Sequence, residues 1–325
     1  MTAPAAGEDR TTVAVGYDGS EAAQAAVRWA AEYTAAGGYR FQVVHAWIWP
    51  VFTKKLGPVK GVEGSGLRHG AEVVLAEGVE LAQAAVAAAQ ARAAQARATQ
   101  GQAPGTGPEP GPGEGKDPAA EPGSGVESVV EGVMAAGLPA AVLRDAGRDA
   151  RLLVVSSRGL GGVLGHIAGS VCLDLAGSSP CPLMVIRRLR SPGQAAGPVV
   201  VGIDGTSRSS AALAGAARLA ETLGTTLQII HIDQSRGATR GAHGRHGPRH
   251  GQELLDHTLE EARHLAPGLS ISGVLREGHA ASKELLAAAT DAEVLVIGTH
   301  NREGGPGNTV TALLNKARFN VLITR

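Results

Sequence analysis

Short apolar runs of about five residues alternate with longer Ala-rich stretches along this chain. Apolar runs bounded by turn residues read as buried strands, and the Ala-rich stretches between them as helices. In the first half the pattern predicts strands over Thr12–Tyr17, Arg40–Ala46, Val126–Glu131, Arg151–Ser156 and Leu183–Arg187. It predicts helices over Ser20–Ala35, Glu72–Ala98, Leu138–Gly147 and Gly169–Ala176. Five strands joined by helical crossovers form a parallel, doubly wound α/β sheet with right-handed connections. Asp18-Gly19-Ser20 supplies a turn and a helix N-cap directly after the first strand.

The pattern then recurs. Val13-Ala14-Val15-Gly16-Tyr17-Asp18-Gly19-Ser20 reappears as Val199-Val200-Val201-Gly202-Ile203-Asp204-Gly205-Thr206, an offset of 186. Phe41–His45 matches Leu227–His231 at the same offset. Leu152–Arg158 matches Val294–His300 at an offset of 142, and Pro182–Arg187 matches Asn320–Arg325 at 138. Internal repetition on this scale means two related domains in tandem, and the falling offset means that the first carries insertions. The Gly/Pro-rich tract 99–125 has almost no apolar residue larger than Ala, so it is expected to be a disordered insertion. The expected organisation is a disordered N-terminus over 1–10, a first domain over 11–190, a linker over 191–197 and a second domain over 198–325.

Composition narrows the function. Thirty Lys plus Arg balance thirty Asp plus Glu in 325 residues. The large positive field of a general nucleic-acid binder is therefore missing. The first ten residues lack an apolar signal-peptide core, and no apolar run approaches the roughly 18 residues of a membrane span. The expectation is a cytoplasmic protein with no membrane partner. Two cysteines, Cys172 and Cys181, exclude a disulfide framework and a Cys-rich zinc site. Aromatic residues make up only 3% of the chain, so its cores must be built from Val, Leu, Ile and Ala.

Ligands of open α/β sheets bind beyond the carboxyl ends of the strands, where the strand order reverses. Two distinctive loops follow strands here. One is Gly16-Tyr17-Asp18-Gly19-Ser20; the other runs from Ser156-Ser157-Arg158-Gly159 to Gly169-Ser170-Val171. Glycines let the main chain approach an anion closely. Gly169-Ser170 opens a helix whose free amides and dipole favour phosphate. Ser170 adds a hydroxyl and Arg158 a cation, while Asp18 faces them from the neighbouring strand end.

At these residues the chain resembles a tandem universal stress protein. That family carries Gly-x-x-Gly, nine residues, then Gly-Ser or Gly-Thr; Gly159, Leu160–Ala168 and Gly169-Ser170 fit, with Ser156 in place of the first glycine. The resemblance implies two Rossmann-like domains of the adenine nucleotide alpha-hydrolase kind, packed as a pseudo-dimer through Leu183–Arg187 and Val321–Arg325. It implies binding of ATP or a related adenine nucleotide, with Mg on the phosphates, in a stress-response protein. The implied contacts are Gly16, Tyr17, Asp18, Ala46, Val155, Ser156, Arg158, Gly159, Gly169, Ser170 and Val171. A homo-dimer is a further expectation.

The second copy keeps Asp204, Ile232 and Gly298. It places Asn301 after His300 where the pattern has its second glycine, and spans only five residues before Gly307-Asn308. Its site is therefore expected to bind weakly or not at all. His45 and His231 read as packing residues at strand ends. His243, His246, His250 and His257 lie in or near a Gly/Arg loop without zinc-finger spacing, so no metal site of protein side chains is expected. Cys172 reads as a buried helix-face residue, although a helix start can lower a thiol pKa.

Walker-type Gly-x4-Gly-Lys-Ser/Thr is absent. The dinucleotide-like glycine spacing follows the fourth strand and lacks the acidic partner of a nicotinamide site. No catalysis is expected; slow ATP hydrolysis involving His166 or Asp174 is the weakest reading. A nucleotide-independent interaction scaffold is the alternative of a different class.

Overall fold

The apolar runs become strands of one sheet that passes through both halves of the chain. The structure, a computed structural model, describes residues 11–47, 65–100, 129–159, 168–191, 194–233, 251–278, 280–299 and 305–325. Residues 1–10, the tract from 101 to 125, His166, the loop bearing His243, His246 and His250, and His300 lie outside the described residues.

The first half runs β1 (Thr12–Gly16), α1 (Glu21–Gly37), β2 (Arg40–Trp47), α2 (Ser65–Gln100) and β3 (Val130–Ala136). It continues with α3 (Pro139–Ala146), β4 (Ala150–Ser156), α4 (Ser170–Ser178) and β5 (Leu183–Ile186). The second half repeats the order as β6 (Val199–Ile203), α5 (Ser207–Leu223), β7 (Leu227–Asp233), α6 (Gly251–Leu265) and β8 (Ile271–Glu277). It ends with α7 (Ala281–Ala288), β9 (Val294–Gly298), α8 (Gly307–Lys316) and β10 (Asn320–Thr324).

The strand order is β3-β2-β1-β4-β5-β10-β9-β6-β7-β8. Each half is a parallel, doubly wound five-stranded unit, as the pattern predicts. The two units join through an antiparallel β5–β10 pair in which Val185 faces Val321 and Met184 faces Leu322. The third strand continues past the predicted end at Glu131 to Ala136, and residues 126–128 of the predicted Val126–Glu131 lie outside the described residues. Its register with β2, from Phe41↔Val130 to Trp47↔Ala136, carries it through Gly132 and two alanines, residues with weak strand preference of their own.

Alternation along the strands separates two cores. Val13, Val15, Val154, Met184 and Leu322 face α1, α2, α5 and α6; Ala14, Leu153, Val155, Leu183 and Val321 face α3, α4, α7 and α8. Each core crosses the seam. Buried on both faces, the inner strands read as continuous apolar runs.

Contacts across the seam repeat as pairs. Arg187, at the end of β5, donates to the Leu314 carbonyl of α8, and Arg325, after β10, donates to the Ala176 carbonyl of α4. The Ala168 amide donates to Asn315 Oδ1 at 3.2 Å. At the matching point of the other half, a Cβ on Gly177 would lie 2.9 Å from the Cα of Gly305, so two backbones meet there. Gly177→Val is expected to force α4 off residues 305–306 and to destabilise the chain by about 1–3 kcal/mol. A lower urea midpoint with an unchanged slope would register that loss.

Candidate functional site

The site is built where β1 and β4 end side by side, the point at which the strand order reverses. After β1, Gly19 takes φ +83 and turns the chain back. Asp18 Oδ1 accepts hydrogen bonds from the Ser20 amide at 3.0 Å and the Ser20 hydroxyl at 2.6 Å. Ser20 Oγ in turn accepts from the Ala23 amide at 3.1 Å, capping α1. Sequence thus fixes the carboxylate twice, through the turn and through the cap.

After β4 the chain is held at a neck. The Ser157 amide donates to the Ile186 carbonyl and the Ser157 carbonyl accepts from the Gly169 amide, both at 2.9 Å. Ser156 Oγ donates to the Arg158 carbonyl. A Cβ on Gly159 would collide with Asp18 Oδ2, so the main chain lies directly against that carboxylate. Only glycine fits there without displacing the acid. Gly169 is an extended N-cap with φ −66, ψ 157 and no side-chain hydrogen bond to the cap. A helix start of this kind presents first-turn amides that suit an anionic acceptor.

The other expected contacts divide. Ser170 and Arg158 are exposed, and Ser156, Val171 and Ala46 are half-buried. Ala46 is paired with Ala135 near the end of β2. Val155 is buried in the sheet. Gly16 faces α3, where a Cβ would meet Leu143 at 3.0 Å, and Gly202 faces Leu285 in the same way. Tyr17 turns its side chain to α2, donating from its hydroxyl to Glu77 Oε1 at 2.8 Å with its ring against Gly78. Burial and the Glu77 hydrogen bond push the Tyr17 hydroxyl up to about 12. These two residues commit their side-chain positions to helix packing, and the Tyr17 amide donates to the Val44 carbonyl at 2.9 Å. His45 Nδ1 lies 2.8 Å from the Tyr17 carbonyl and His231 Nδ1 lies 3.1 Å from that of Ile203, a packing role in both copies.

Sequence reasoning missed Arg187. It is half-buried just after β5, and burial, with the nearby Arg158 cation adding to it, lowers its pKa. Its signal was the arginine that ends the last strand of both copies. Cys172 sits close enough to Arg187 for the cation to draw its thiol down, yet burial dominates and pushes it up to about 12.

The second copy is arranged differently. Asp204 Oδ1 accepts from the Thr206 amide, the Thr206 hydroxyl and the Ser209 hydroxyl at 3.0, 2.7 and 2.8 Å. A Cβ on Gly298 would lie 3.3 Å from the Arg208 carbonyl. Pro306 is the helical N-cap of α8, and Gly307 opens that helix at φ +77. Asn308 is exposed and Ile232 half-buried. Among the described residues, no group of three His, Cys, Asp or Glu side chains is placed to hold a metal, and no helix is long and apolar enough to cross a membrane.

Comparison with known proteins agrees with this architecture. Residues 10–187 and 196–325 each match the model of the universal stress protein family. A universal stress protein of Mycobacterium tuberculosis is 28% identical over 201 residues, covering 59% of this chain and 67% of its own length. Another, from Mycobacterium bovis, is 28% identical over 214 residues, covering 62% and 67%. Among solved structures, a universal stress protein from Archaeoglobus fulgidus superposes with a TM-score of 0.66 at 16% identity, covering 98% of this chain and 99% of its own. A functionally unknown protein from Pseudomonas aeruginosa gives 0.57 at 15% identity, covering 97% and 92%. These structural likenesses concern the fold.

The burial of Cys172 has a chemical consequence. At pH 8 the native thiol is expected to react with iodoacetamide at least roughly tenfold more slowly than in urea-unfolded chain. Mass-spectrometric labelling time courses measure both rates.

Proposed function

This chain belongs to the universal stress protein family, and from that premise we propose that its first domain binds an adenine nucleotide, ATP or a close relative, as a regulatory ligand. The observation that carries the reading is the close approach of the Asp18 carboxylate to the main chain at Gly159, beside the glycine-capped start of α4. A nucleotide asks for both kinds of group. Hydroxyls of a ribose suit a carboxylate acceptor, and phosphate oxygens suit amides at a helix start. Asp18, Gly159, Gly169 and Ser170 would hold the ligand, with the main chain at Ala46 toward the base. Mg would be carried on the phosphates, without protein ligands.

The second domain is proposed as a structural mate that binds weakly or not at all. Support comes from the three donors on one oxygen of Asp204, the Arg208 carbonyl close behind Gly298, and the altered entry into α8. Regulation without turnover is part of the same proposal. A cytoplasmic, stress-linked role follows as part of the same proposal.

Added ATP or ADP is expected to raise the melting temperature. A hundredfold excess over Kd corresponds to about 2.7 kcal/mol of stabilisation. Native mass spectrometry should find one nucleotide per chain. Gly159→Val, which displaces the Asp18 carboxylate, and Asp18→Ala should each abolish the shift. Absence of any shift in wild type at millimolar nucleotide would refute nucleotide regulation and favour the scaffold reading.

A further inference from the structure

Duplication allows the two ends of the seam to be compared position by position. α1 and α5 are both 17 residues long and related by the offset of 186; β4 and β9 are related by 142. Glu32 on α1 therefore corresponds to Arg218 on α5, and Arg151 at the start of β4 corresponds to Glu293 just before β9. At both ends of the seam one charged residue from each domain is present, but the signs are opposite.

At the acidic end the structure shows what such a pair is for. Arg190, on the linker side of β5, bridges the two domains, 3.6 Å from Glu32 and 3.4 Å from Glu293. Burial pushes the Glu293 carboxyl up, and the pull of Arg190 and Arg188 opposes this. With the linker in place only a small cavity of about 210 Å³ remains there.

The basic end carries a larger cleft. A cleft of about 1010 Å³ lies between the domains at the amino-terminal edge of β4, lined by Arg144, Arg151, Arg218 and Arg325. Among the described residues that line it, the charged side chains are these arginines. Two of the guanidinium groups are held in position. Arg151 stands 4.8 Å above the ring of Tyr39, and Arg325 donates to the Ala176 carbonyl. Four cations of one sign in a concave wall focus a positive field, although the whole chain is neutral. The site is remote from the Asp18 crevice: it lies where β4 begins, and the crevice lies where β4 ends.

We propose that this cleft binds a small polyphosphate-bearing anion that bridges Arg151 of the first domain and Arg218 of the second. It would join the domains at this end as Arg190 joins them at the other, with the charges exchanged. Guanidinium forks match phosphate oxygens bidentately. The volume lies at the upper end of that of small-molecule sites, about 300–1,000 Å³, and admits more than a single phosphate.

Inorganic triphosphate, without metal and at low salt, is a suitable probe for isothermal titration calorimetry. Five proteins are compared: wild type, Gly159→Val, Arg218→Glu in the wild-type and Gly159→Val backgrounds, and Arg218→Lys in the latter. Arg218 is exposed on α5, so its replacement leaves the cores intact; circular dichroism melting checks that they remain so. Gly159→Val should still bind triphosphate, since it alters only the crevice at Asp18. Arg218→Glu in that background should weaken binding at least roughly tenfold, as expected for loss of a charge-assisted bidentate contact, and Arg218→Lys should restore part of it. The proposal is overturned if wild type binds no triphosphate at millimolar concentration, or if Gly159→Val alone removes all binding. It is equally overturned if the folded double variant binds as tightly as Gly159→Val.

Discussion

The antiparallel ladder between β5 and β10 is the constraint on which the molecule turns. It fuses two parallel sheets into one, so the apolar cores on either face run across the boundary between the domains. It also sets α4 against α8. Because those helices begin at the glycine loops, each loop is braced by the opposite domain. The Ala168 amide rests on Asn315, and residues 305–306 rest on Gly177. The candidate site is therefore a property of the whole chain, although its chemistry lies in the first half.

Within that shared frame the two halves have diverged in what fills equivalent places. A serine caps one helix while it binds the aspartate; in the other half a threonine and a second serine both close on the aspartate. One helix is entered through an extended glycine and the other through a proline. The same divergence changes the charge at either end of the seam. The backbone symmetry makes these differences readable, since each position has an internal control.

Much of this architecture was legible in the sequence, because inner strands buried on both faces must be apolar throughout. β3 runs past its predicted end because it is an edge strand with Glu131, Gly132 and two alanines, where pairing with β2 sets the limits and local preference says little. Asp18, Gly159 and Gly169 could be singled out as candidates because turn chemistry and loop spacing are local. The packing of Gly16 and Tyr17 was hidden, because Leu143, Glu77 and Gly78 meet them only in the folded chain. Arg187 was visible as a repeated terminal residue, but its reach across to α8 depends on the seam.

The seam also settles what a neighbouring molecule can find. Leu183–Ile186 is buried throughout, and its free hydrogen-bonding edge is occupied by β10 of the same chain. A half severed at the linker would expose that edge as an adhesive template. In this chain that valence is saturated from within, and among the described residues the sheet rims are β3 and β8, at the far ends. Covalent tandem linkage has thus converted an association that would depend on concentration into one that is always made.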